Sequence, residues 1–439
     1  MADPEQLRKA KIELGQRLAA HRKAAGLTQA LLGPRVNYVR STIANVEVGR
    51  QNVPREFWAA CDRELGADGD LIGAFDDLSL IARATWISDP PAAVAGFVAP
   101  KVPIDERSIV AMAAHRARKF ALVASIGTTP EVIDQLRDEV QRIAQQYPRR
   151  PLSEFAGDLA DTQDAVFTLL ERRQAPQQAR QLYLLGGLTC GLLAKASHDL
   201  GEPRAALQQT RTAILCAEQA DHDGLRGWLR GLQALVTYWA GRHSDSVRYA
   251  EAGMEYAQRT GGATTVWLAS SAARAHAALG DAERAKQAIA AAEAAWEHLR
   301  PDDLDGFGGI CTFHPARAQY YAADALAWLP EERPLAHAQA ERAVAAYQDR
   351  QSPEWAFGDE AGAVAALAIA RIASRDLDGA QTALQDVFTL PADQRIHGVV
   401  HSVRRVHQAV SAAGLTRDGR ALVEQMEDFA HVPANALPR

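Results

Sequence analysis

The chain has 439 residues, 47% of them apolar and 23% charged, with a net charge of −6. That is enough material for two or three domains with a sizeable core, and it excludes a disulfide-stapled miniprotein or a disordered tail protein. No stretch approaches the roughly 18 consecutive apolar residues of a spanning helix, so no membrane partner is expected. The opening run MADPEQLRKAKIELGQ carries no apolar signal core, which predicts a cytoplasmic protein. Four cysteines (Cys61, Cys190, Cys216, Cys311) stand far apart without a CxxC pair. The reading is buried, reduced thiols rather than a zinc site or a disulfide framework.

Charge is uneven. Residues 5–60 carry ten Lys/Arg against four acids, net +6, which leaves −12 for the remainder. A basic head on an acidic body points to a head that meets a polyanion. Ala, Leu, Gln, Glu and Arg at helical spacing predict an all-α chain. Three zones follow: a block of short helices over 5–80, a linker over 88–104 with four prolines, and long helices over 105–435.

In the first zone, Leu14, Leu18 and the apolar flank of Arg22 outline an amphipathic helix. Thr28 is placed to cap a second helix beginning at Gln29. Asn37 marks a tight turn, and Ser41–Val48 predict a third helix stopped by Gly49. Ile43 and Val46 face the core of this unit, while Arg40, Ser41, Thr42 and Asn45 fall outward near the helix N-terminus. The run from Leu14 to Pro54, with Gly-Leu-Thr-Gln, Ser-Thr-Ile and Val-Glu-Val-Gly-Arg in order, resembles the Xre (phage-repressor type) helix-turn-helix family. Phe57–Phe75 is similar to the closing helices of actinobacterial members, which implies a five-helix head. By that resemblance Arg40, Ser41 and Asn45 occupy base-reading positions, and Gln29 and Arg50 meet phosphate. The resemblance also implies a structural ion pair of Arg22 and Glu47 that ties the first helix to the third. Arg pairs with guanine and Asn with adenine in such helices. The chain departs from the family at Asn37 (usually Gly), at Val39 (usually Ser/Thr) and at Pro34 inside the second helix, which affects the docking angle.

In the third zone, first helices end at Leu200-Gly201, Ala240-Gly241 and Leu279-Gly280. Ala194, Ala234 and Ala273 precede each Gly by seven residues. Ala206, Ser246 and Ala285 follow by five, and Ala213, Gly253 and Ala292 by twelve. Small residues at three fixed phases let helix hairpins stack closely. The pattern resembles the tetratricopeptide (TPR) repeat with longer helices, and implies a right-handed α-solenoid. Weaker copies lie at Ala336/Ala343 and Ala380/Val387. Helix starts are expected at Glu202-Pro203, Asp281 and Ser352-Pro353-Glu354.

A concave groove in such an array would be lined by Lys195, His198, Trp228, Tyr238, Trp239, Trp267, Arg274, Arg317, Tyr320, Asp324 and Trp328. Of these, Trp228, Tyr238, Trp267, Arg274, Arg317, Tyr320 and Asp324 are the ligand-site candidates, suited to a peptide or a planar small molecule. Aromatics at this spacing also serve as inter-repeat core. Peptide-pheromone receptors share the head-plus-TPR plan and clamp peptide backbone with Asn, but this body has Asn only at its tail, Asn435. Residues 301–315 interrupt the repeat. They read as an inserted loop, or as one whose glycines fold it over the groove mouth.

His397 and His401 stand four apart without a carboxylate beside them, so no metal site and no cofactor are assigned. HExxH, GxSxG and P-loop motifs are absent, and no enzyme activity is expected. The sequence therefore predicts a cytoplasmic regulator that binds double-stranded operator DNA as a homodimer, with a peptide or small-molecule effector. The alternative is a TPR interaction scaffold whose head does not read DNA.

Overall fold

The computed structural model describes residues 4–36, 38, 40–48, 55–67, 69–75 and 129–431. Among these every regular element is helical. The chain divides into two units, Met1–Ile109 and Val110–Arg439. The proline-rich segment 88–104 lies outside the described residues, as do Asn37, Val39, Gly49, Arg50 and Pro54.

In the first unit, α1 (Pro4–Ala24) ends at Gly26 in the left-handed region (φ 68°). Thr28 Oγ1 then accepts the Leu31 N–H at 3.2 Å, which starts α2 at Gln29. α2 (Gln29–Arg35) contains Pro34 in its last turn, α3 spans Arg40–Glu47, and α4 spans Arg55–Leu65. A fifth helix (α5) begins in residues 70–75. Its first turn is held by Asp62, whose carboxylate accepts the Gly69, Leu71 and Ile72 N–H groups at 2.7, 2.9 and 3.2 Å. The core is Leu14, Leu18, Leu32, Ile43, Val46, Phe57, Trp58, Cys61 and Leu71. α1 crosses α3 so closely that a Cβ at Gly15 would sit 2.4 Å from the Val46 carbonyl oxygen.

The second unit is a TPR-like stack of helix hairpins. It opens with α6 (Pro130–Gln146) and α7 (Ala156–Leu170). Inner helices α8 (Pro176–Asp199), α10 (Asp223–Trp239) and α12 (Thr264–Ala278) pair with outer helices α9 (Pro203–Ala220), α11 (His243–Thr260) and α13 (Ala282–Glu297). Each inner helix ends in the same way. Gly201, Gly241 and Gly280 have φ 79°, 72° and 80°. The next N–H reaches back to Ser197, Thr237 and His276 carbonyls at 2.8–2.9 Å. The small residues at all three phases are buried, Ala194, Ala234, Ala273, Ala206, Ser246 and Ala285 completely.

Two further hairpins follow: α14 (Pro315–Leu326) with α15 (Arg333–Ala345), and α16 (Phe357–Ala373) with α17 (Leu377–Phe388). The second repeats the turn with Arg375 in place of Gly (φ 62°), the Asp376 N–H reaching the Arg371 carbonyl. α18 (His397–Ala412) and α19 (Arg420–His431) end the described region. One expected start is corrected. Ser352-Pro353-Glu354 forms a turn, the Ser352 hydroxyl accepting the Glu354 N–H, and α16 begins only after Ala356.

The inner row does not stay open. α18 returns to pack against α8, with His397 and His198 rings 5.3 Å apart, and the His401 ring lies 6.1 Å from that of Trp239 on α10. The insertion after α13 is part of the core rather than a lid. It turns through Asp305–Phe307 and Gly309–Cys311 and buries Leu304, Phe307, Cys311 and Phe313. Gly309 (φ 53°) presses on α6, where a Cβ would meet the Ala144 carbonyl oxygen at 2.1 Å. Phe313 stacks on Trp267 at 6.3 Å and 19°. All four cysteines are free and buried, and burial raises the Cys61 and Cys190 thiols to about 12. Among the described residues no helix is long and apolar enough to cross a membrane.

Candidate nucleic-acid interface and ligand cavities

The head presents α3. Ile43 and Val46 are buried on its inner face, Arg40 and Asn45 are exposed, and Thr42 is half-buried. Ser41 lies on the same helix, but its side chain is outside the described set, as is Arg50. The helix is fixed from behind by a buried ion pair. Arg22 gives Nε to Glu47 Oε1 at 2.5 Å and Nη2 to Oε2 at 2.9 Å, with side chains 9% and 6% exposed. Its third arm, Nη1, donates to the Leu27 carbonyl at 2.8 Å, so one guanidinium ties α1, the turn and α3 together. Gln29 joins them, giving Nε2 to Glu47 Oε2 at 2.7 Å. An amide nitrogen has two hydrogens, so Gln29 is positioned with a second one to donate.

In the second unit a cavity of about 90 Å³ lies where the inner helices converge. Trp267, Arg274, Arg317 and Tyr320 line it, with Lys195, His198 and Trp239. Sequence reasoning missed Tyr147, Asp199, Tyr321 and Asp359, which share the wall. A wider cavity of about 520 Å³ lies beside it and takes Tyr238, Trp239 and Trp328 in its wall. Trp228 and Asp324 line neither. Trp228 is 1% exposed and gives its Nε1 to the Ile310 carbonyl at 3.4 Å, under the inserted loop.

Asp324 is the hub between the two cavities. It stands at the phase where the neighbouring repeats carry a buried Ala, and its side chain is 4% exposed. Oδ2 accepts Arg274 Nε at 2.7 Å and Tyr238 OH at 2.8 Å, and Oδ1 accepts Arg405 Nη1 from α18. Trp328 Nε1 donates in turn to Tyr238 Oη at 2.9 Å. Burial pushes the Asp324 carboxyl up, but Arg405 and Arg274 outweigh it and hold it below the usual range. The Arg274 guanidinium sits between the rings of Tyr238 (4.1 Å) and Tyr321 (4.2 Å), and its Nη2 is buried without a partner among the described residues.

Two more pairs complete the interior. Lys195 Nζ meets both Asp199 oxygens at 2.6 Å, and Arg317 Nε meets Asp359 at 2.6 Å. Among the described residues, Lys195, Arg274, Arg317 and Arg405 thus pair only with Asp199, Asp324 and Asp359. One positive charge is left unmatched in a place where a lone charge is expensive. Burial, then Lys195 and the neighbouring imidazoles, drive His198 well below its ordinary pKa, so it adds no charge near neutrality.

The arrangement in the head is that of a helix-turn-helix unit, and a helix-turn-helix domain family matches residues 13–75. The head is therefore a helix-turn-helix domain. Among solved structures, the chain is similar to a Rap protein complexed with competence and sporulation factor, at 14% identity over 75% of this chain and 91% of that one, TM-score 0.41. It is also similar to Bacillus thuringiensis PlcR in complex with the peptide PapR7 and DNA, at 13% identity over 93% and 98%, TM-score 0.22. No curated protein matches the sequence.

Proposed function

We propose that this protein is a sequence-specific, DNA-binding transcriptional regulator whose TPR-like body dimerises and responds to an effector. One observation carries the reading. α3 exposes Arg40 and Asn45 while Arg22, Glu47 and Gln29 lock its inner side, which is the geometry of a rigid helix offered to a major groove. Arg40 and Asn45 read base edges, Ser41 and Thr42 support them at the helix start, and Gln29 and Arg50 grip phosphate. Two heads in a homodimer would read half-sites about one helical turn, or a small multiple, apart. An effector that favours one body geometry shifts that spacing and with it operator affinity. The head is taken as 5–80, the linker as 88–104 and the body as 105–435. Cytoplasmic location and membership of the Xre family belong to the same proposal.

Selection of a randomised duplex library on the full-length protein tests it. A defined sequence should emerge. Arg40→Ala and Asn45→Ala should each lower affinity for it by about 1–3 kcal/mol with far-UV circular dichroism unchanged. Retention of the body's own partners with no preference for any duplex would instead establish the interaction scaffold.

A further inference from the structure

Among the described residues, the wider cavity of the body is lined by cations, imidazoles, aromatic rings and small apolar residues, and by no carboxylate. Its lining includes Arg404, Arg405, four histidines (His198, His243, His397 and His401) and the rings of Trp239 and Trp328. Its volume of about 520 Å³ falls within the range of small-molecule sites.

Three independent features give it a ligand chemistry. Among the described residues Arg405 pairs with one carboxylate, Asp324, and that group already serves Arg274 and Tyr238, so the excess positive charge of the interior borders this cavity. Arg404 stands exposed at the rim, with no ion pair among the described residues, beside exposed Gly241 and Gln408. His243 Nδ1, on α11, is buried without a hydrogen-bond partner among the described residues. Aromatic rings supply the apolar part of the wall: the Arg405 guanidinium lies 4.2 Å from the Trp328 ring centre, and the Trp239 ring lies 6.1 Å from that of His401. Burial, His397 and Arg404 bring His401 down to about 4, so the imidazoles are neutral donors or acceptors at physiological pH, and none supplies a counter-anion.

We infer that this cavity binds a small organic acid, a planar apolar body carrying one oxyanion head, with the head on Arg405 and Arg404 and the ring between Trp239 and Trp328. The ligand supplies the missing negative charge. This rests on the reading of the body as an effector-binding unit, and it names the effector's class. The oxyanion is a carboxylate or a phosphate ester, and the two bind through the same contacts.

Calorimetric titration of the full-length protein distinguishes the sources, with benzoate and phenyl phosphate as probes and benzamide and inorganic phosphate as controls. At least one aromatic anion should bind about tenfold or more tightly than benzamide and than inorganic phosphate. Arg405→Met should weaken it by about tenfold or more. Arg404→Glu, an exposed position where the fold is not at stake, should weaken it in the same direction. The proposal is overturned if benzamide binds as well as benzoate, if Arg404→Glu leaves affinity unchanged, or if neither aromatic anion binds at millimolar concentration. Anion binding without duplex selectivity would retain the site and remove the regulator; duplex selectivity without anion binding would do the reverse.

Discussion

Substitutions in the Asp324 hub separate a balanced ion pair from an unbalanced cluster. Asp324→Asn keeps the shape but leaves Arg274 and Arg405 buried with no carboxylate, since the side chain is 4% exposed and accepts from both. Removing one partner of a buried pair costs about 3–5 kcal/mol, and here two guanidiniums lose it. Arg405→Met removes the other side of the same contact, yet leaves Asp324 with Arg274 at 2.7 Å and Tyr238 at 2.8 Å. It forfeits charge-assisted bonds worth about 1.5–3 kcal/mol and recovers part of that by deleting the unmatched charge. Its net cost should be below about 2 kcal/mol. At about 2 °C per kcal/mol for a large domain, Asp324→Asn should lower Tm by roughly 6–10 °C and Arg405→Met by less than about 4 °C. Scanning calorimetry of the two variants in parallel reads the difference. Equal losses, or a larger loss for Arg405→Met, would refute the assignment of an excess positive charge to this interior.

Gly15→Ala should destabilise the head by about 1–3 kcal/mol, because its Cβ would meet backbone at Val46, and hydrogen exchange of the α1 and α3 amides will report it. Arg375→Gly should stabilise the body by about 0.5–1 kcal/mol, since an exposed Arg is held at φ 62° where Gly sits in three equivalent turns; urea denaturation measures the gain. The body should lose stability on acidification. Burial depresses His198 well below its ordinary pKa and takes His401 to about 4. The unfolded chain takes up protons near pH 6.5 that the folded chain refuses, so stability is full above that pH and falls steadily as pH drops from about 6.5 towards 4. Urea midpoints at a series of pH values check the slope, which His401→Gln should flatten.

What could be read in advance was local. Leu14, Leu18, Ile43 and Val46 declare one face at helical spacing, and all four are buried. Gly201, Gly241 and Gly280 announce their turns because a left-handed cap favours that residue, and the small side chains at fixed offsets follow from hairpin packing. The same logic hid the turn at Arg375, where the geometry recurs without the glycine. Arg405 was missed because its tie to Asp324 spans 81 positions and joins helices with no shared period. An acid at a phase otherwise held by Ala was the available sign that Asp324 has buried partners. The insert 301–315 carries apolar residues without periodicity, so its role as core filling depends on α6, distant in sequence.

The return of α18 to α8 changes what it means to shorten this chain. In an open array, stability is close to a sum over neighbours, and trimming one end leaves the other end as it was. Here α18 fastens α8, far from it in sequence, so a cut before His397 uncovers His198 and strips Asp324 of one of its clasps at once. Loss of the tail therefore loosens helices about two hundred positions away, and the strength of the body is collective rather than additive.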